Sequence, residues 1–94
     1  MSNPSRARPS VEEVEEAQRA ERRATVISVS VMKALGKPED LFRVSVVRLW
    51  GNYYRVNVQT GTDVTALRIA HSFFLTIDEN GQVIESVPAI TRLY

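Results

Sequence analysis

The stretch "TVISVSVM", Thr25 to Met32, can be read in two ways, and the fold turns on the choice. Taken alone, it alternates apolar with polar residues and is β-branched, which suits a strand. Taken with its neighbours, it continues another pattern. Val11, Val14, Ala17, Ala20, Ala24, Ile27, Val31, Ala34 and Leu35 recur at steps of three and four, the spacing of one helix face. Ser10 opens this stripe as an N-cap, with Glu13 three residues on to complete a capping box and Glu12 in the first turn, where the helix dipole favours negative charge. Gly36 and Pro38 close it. The reading that keeps the stripe whole is one long helix. An extended segment over residues 25–32 is the alternative.

Before this helix, residues 1–9 hold two prolines and small polar residues and read as a disordered tail. Residues 10–94 then form a single domain of a size that reaches a modest core. After "GKPED" the apolar period changes to two. Four strands are expected: Leu41 to Trp50, Tyr53 to Thr60, Val64 to Ile77, and Gln82 to about Leu93. The links "GN", "GT" and "DENG" are too short for crossovers, so the sheet should be an antiparallel meander in the order 1-2-3-4. Asp78-Glu79-Asn80-Gly81 suits a type I turn with glycine in the left-handed position. Pro88 cannot donate to a ladder and places the last strand at an edge or at a bulge. The fold class is α+β: one long N-terminal helix packed on a four-stranded meander. It resembles the cystatin-type arrangement in architecture alone, and "VQTG" at Val58 to Gly61 is too degenerate to count as the Gln-Val-x-x-Gly hairpin of that class.

Tight turns fix register, and register fixes faces. With Gly51-Asn52 and Gly61-Thr62 as two-residue loops, Val47, Leu49, Tyr54, Val56, Val58, Leu67, Ile69, Phe73, Leu75 and Ile77 share the core face. The other face then carries Arg48, Arg55 and Arg68 side by side, with Arg92 extending the line, beside a Trp50–Tyr53 aromatic pair. Like charges directly opposed in a sheet are unfavourable by about 0.2–1 kcal/mol per pair. Either the heads splay into solvent with their stems over the rings, or an anion, an acidic segment or a second copy of the sheet meets this face.

Composition narrows the functions. Twelve basic residues against eleven acidic ones leave a net charge of +1, too balanced for a chain devoted to wrapping nucleic acid. The charge is uneven, though: residues 11–23 hold five glutamates and three arginines, whereas Leu41 to Ile77 holds four arginines and the single acid Asp63. There is no cysteine, so disulfides and thiolate metal sites are excluded. No apolar run approaches a membrane span, and no secretory leader is visible, so a cytoplasmic location is the expectation.

No catalytic constellation appears. His71, the single histidine, reads as a core-edge residue, and Ser72 beside it points to the opposite face of its strand. Asp63 reads as capping its own turn, and Asp78 with Glu79 lacks the further oxygens a cation needs. The expectation is therefore a non-catalytic interaction module without metal or cofactor. It would bind a protein partner or its own copy, as a homodimer, through Arg48, Trp50, Tyr53, Arg55, Arg68 and Arg92. Single-stranded nucleic acid or an anionic ligand on the same face is the alternative.

Overall fold

A computed structural model describes residues 8–94 of the chain. The expected disordered tail, residues 1–9, lies outside them but for its last two residues. The helix is continuous: α1 runs Val11–Leu35, so residues 25–32 are helical. The Ser10 side chain accepts the Glu13 N–H at 3.1 Å, and Glu12 and Glu13 occupy the first turn. Ile27, Val31 and Leu35 are buried while Val29 is exposed, whereas a strand would have put Ile27, Val29 and Val31 on one face together. Gly36 then turns the chain at φ 90°.

Four strands follow, β1 Leu41–Trp50, β2 Tyr53–Thr60, β3 Arg68–Ile77 and β4 Val83–Val87, in one antiparallel sheet of order β1-β2-β3-β4. The α+β meander is thus the observed fold. Ile27, Val31 and Leu35 of α1 pack on Tyr54, Val56 and Val58 of β2 and on Phe73, Leu75 and Ile77 of β3. Each fully buried aliphatic contributes about 1.5–3 kcal/mol through apolar area removed from water. Among the described residues, only one sheet face is covered.

Two strand limits differ from the sequence pattern. The alternation that starts at Val64 is a loop, and β3 begins only at Arg68. Here Asp63 accepts bonds from the Thr65 N–H and hydroxyl, while Gly61 N–H donates to the Asp40 carbonyl at 2.9 Å. This local bonding satisfies the backbone without a ladder. β4 stops at Val87 because Pro88 has no N–H to donate, and the Val87–Pro88 peptide is cis. The segment beyond turns back over the core. Ile90 packs against it, and the Leu93 and Tyr94 N–H groups both donate to the Leu35 carbonyl, at 2.9 and 3.1 Å. As expected, β4 is an edge strand. Gly81 is left-handed at φ 82°, and Asp78 accepts from Asn80 and Gln82 N–H groups within the turn.

Candidate functional site: the uncovered face of the sheet

The arginine row does not form. The Gly51-Asn52 turn and the Trp50–Tyr53 pair are as the sequence suggests, but Leu49 is a bulge. From there Arg48 pairs with Tyr54, Val47 with Arg55, Val46 with Val56 and Val44 with Val58. The one-residue slip brings Val44 and Val46 to the core and turns Val47 out. It also carries Arg48 to the helix side, where its Nε donates to the Gly51 carbonyl at 3.0 Å.

On the other side of β2, the long loop replaces the expected tight turn, and Ala70 bulges between the pairs Val58–His71 and Gln59–Ile69. Arg68 therefore stands opposite Thr60, which is buried, and donates to its hydroxyl at 3.4 Å. Arg92 lies beyond the end of β4, outside the ladder. Of the four arginines expected together, only Arg55 stands on the uncovered face. The opposed like charges that needed a counter-anion are absent because the bulges separate them.

What the register assembles instead is an apolar centre. Val47, Arg55, Phe74 and Val87 form one row across the four strands, and Trp50, Tyr53, Thr76 and Glu85 form the next. Trp50 and Tyr53 have ring centroids 5.7 Å apart, and Phe74 stacks on Tyr53 at 5.6 Å and meets Trp50 at 6.3 Å. Such tilted and offset pairs are the favourable geometries of aromatic rings. Trp50 is 62% exposed, Val87 58% and Val47 47%. An apolar group of this kind, left contiguous and open, is unusual for a solvated sheet face.

Arg55 crosses this patch on a fixed support. Its Nη1 donates to Ser72 Oγ at 3.1 Å, and that hydroxyl donates in turn to Asn57 Oδ1 at 2.7 Å. Among the described residues, no carboxylate lies in ion-pair range of it. Its flanks are Val47 and Phe74, and its exposed guanidinium is a fork that an acid set among apolar groups could meet.

Sequence reasoning found Trp50, Tyr53 and Arg55, and Asn57 beside them, but missed Val47, Val87 and Ser72 as their neighbours. Phe73 stands on the core face as expected, which puts its neighbour Phe74 on the outer one. The β3–β4 hairpin opens as expected with Ile77 facing Val83, then Ile84 bulges and moves Val87 beside Phe74.

His71 and Ser72 point to opposite faces, as their adjacency requires. The His71 Nε2 meets the Tyr94 hydroxyl at 2.8 Å, away from the Ser72 network. Among the described residues, no three His, Cys, Asp or Glu side chains converge on a metal position, and no helix is long and apolar enough to cross a membrane. Comparison of the chain with models of protein families, with curated proteins and with solved structures finds no match.

Proposed function

We propose that the chain is a non-catalytic interaction module that binds a protein partner, or its own copy, through the uncovered face of its sheet. The observation that supports this is the contiguous Val47, Trp50, Tyr53, Phe74 and Val87 patch around a supported, unpaired arginine. Aromatic anchors and an arginine at the centre of an apolar patch are the composition of a binding hot spot, and Glu85 stands at its rim. The central Arg55 favours a partner with an acidic group set among apolar side chains. Face-to-face packing of two copies about an axis near Arg55 would instead oppose two guanidinium groups. The nucleic-acid alternative drew its support from arginines side by side, and on this face Arg55 stands two rows from Arg43, with the Ser45–Asn57 pair between them, so that support is lost.

The test compares wild type with a Trp50→Ala, Arg55→Ala variant whose fold is checked by circular dichroism. Bound partners are captured on each, and self-association is followed by sedimentation equilibrium. A partner or self-association present with wild type and lost with the folded variant supports the function. Identical binding by both overturns it.

A further inference from the structure

The uncovered face carries its own counter-charge. Across all four strands there is a single carboxylate, that of Glu85. It is exposed and shares the row of Trp50, Tyr53 and Thr76, with the exposed side chains of Ile84 and Val87 beside it. Among the described residues it makes no ion pair, and neither does Arg55. Within one chain the two stand apart. β3 lies between them, and strand spacing and rise put their Cα positions about 12 Å from each other. Arg55 is also turned toward Ser72, one row further from Glu85. An acid set among apolar side chains is what the Arg55 fork fits, and a second copy of this face supplies one.

Register says how the two copies would meet. The two rows form a rectangle with Val47, Val87, Glu85 and Trp50 at its corners. Its diagonal from Trp50 to Val87 leaves Glu85 on one side and Arg55 on the other. With strands about 4.8 Å apart and about 3.4 Å per residue, Glu85 stands about 6 Å off this line and Arg55 about 4 Å off it. The reach of Arg55 toward Ser72, on the next strand, takes its head farther out and level with Glu85 along the line. A two-fold axis laid in the face along the diagonal therefore exchanges the two charges. We infer that two copies pack face to face about this axis, each Arg55 meeting the mate's Glu85. Trp50, Phe74 and Val87, on or near the axis, then lie against the same residues of the mate. An axis through Arg55 opposes the guanidinium groups, whereas this one separates them and pairs both. The inference rests on the reading of this face as an interface and adds which partner it takes.

The test is sedimentation equilibrium on wild type, Arg55→Glu, Glu85→Arg and the variant carrying both changes, each checked for fold by circular dichroism. Wild type is expected to dimerise. Each single variant sets like charges together at both symmetric contacts and should associate at least about tenfold more weakly. An equimolar mixture of the two single variants should recover a one-to-one dimer, and the variant with both changes should dimerise on its own. Trp50, the single tryptophan, gives a second readout. Its emission should shift to the blue as wild type associates and stay red in either single variant at the same concentration.

A wild type that stays monomeric to about 1 mM overturns the inference. Partner capture with the Trp50→Ala, Arg55→Ala variant then decides the reading of the face by itself. A dimer that both single charge variants form as tightly as wild type also overturns the inference, and Trp50→Ala then tells the two failures apart. If that substitution abolishes the dimer, the face is an interface but Arg55 and Glu85 do not pair across it. If the dimer survives it, the copies associate elsewhere.

Discussion

The His71 ring and the Tyr94 ring meet edge to face at 5.7 Å, with Nε2 and hydroxyl 2.8 Å apart. His71 also stacks on Phe73 at the margin of the core. Through this contact the segment after β4 is held to the middle of β3, while its backbone is held to the end of α1 by the Leu35 carbonyl. Three elements far apart in sequence are thus closed at one end of the core.

Removing the hydroxyl alone, as Tyr94→Phe, should cost about 0.5–1.5 kcal/mol, the net worth of one hydrogen bond. Tyr94→Ala should cost more, because the edge-on ring is lost too. Urea unfolding of both variants separates the two contributions. Equal losses would mean that the ring contributes nothing.

Gly36 should tolerate no side chain. A Cβ there would lie 2.4 Å from the Tyr94 carbonyl oxygen, at a φ of 90° that L-residues avoid. Gly36→Ala is expected to destabilise by on the order of 3 kcal/mol, combining backbone strain with displacement of the Tyr94 segment. Gly51 makes the control, being left-handed at φ 51° with nothing near its Cβ position, so Gly51→Ala should cost only about 1 kcal/mol.

Leu49 offers a direct check of the register. Because it is the extra residue of a bulge, deleting it leaves Arg48 opposite Tyr54 and Trp50 opposite Tyr53. Deleting Val47 instead shifts every residue from Val46 back to Leu41 and takes Val44 and Val46 out of the core. The first deletion should keep a cooperative unfolding transition within about 2 kcal/mol of wild type, and the second should lose several. A better-tolerated Val47 deletion would contradict the pairing.

Asp63 carries the pH prediction. Its carboxylate accepts from the Thr65 hydroxyl and N–H, with the Ala66 N–H adding a smaller contribution, and these bonds hold its pKa below the ordinary aspartate range despite a small opposing effect of burial. A lowered folded-state pKa means that the associated stability is present above the unfolded value near 4 and disappears as pH falls through the folded one. Thr65→Ala should raise the Asp63 pKa toward the ordinary value, read by NMR titration of the side chain. An unmoved titration would show that the Thr65 hydroxyl does not hold it.

The uncovered face should be nearly silent in stability. Trp50→Ala is expected to cost within about 1.5 kcal/mol, whereas Leu75→Ala, at a fully buried position, should cost about 2–5 kcal/mol. Chemical denaturation measures both. A large loss at Trp50 would give its ring cluster a structural role.

The helix, the strand count and the meander were legible because each is written as a period that many residues repeat. Val11 through Leu35 outvote the local alternation at Thr25–Met32, and three short links exclude crossovers. The arginine row was misread because it rested on single residues. Leu49, Ala70 and Ile84 each shift a register by one, and nothing in their side chains marks them as bulges. The loop at Gly61–Leu67 was hidden for a related reason: "VTALRI" alternates as a strand does, while the bonds around Asp63 that hold it as a loop involve only three or four residues. Trp50, Tyr53 and Arg55 survived as neighbours because they sit closest to the Gly51-Asn52 turn, whose first pair was read correctly.

The bulges have a consequence at the sheet's margins. An exposed edge strand is a template on which an unfolded or neighbouring chain can add itself by backbone hydrogen bonds. β1 breaks its regular pairing between Leu41 and Arg43 and again between Arg48 and Trp50, and β4 breaks its own at Ile84 and is cut off by Pro88. Neither margin offers a long straight rail of donors and acceptors. A chain with a flat apolar sheet face open to solvent is the kind most exposed to fibrillar stacking. These interruptions let it keep that face open while denying its edges to growth.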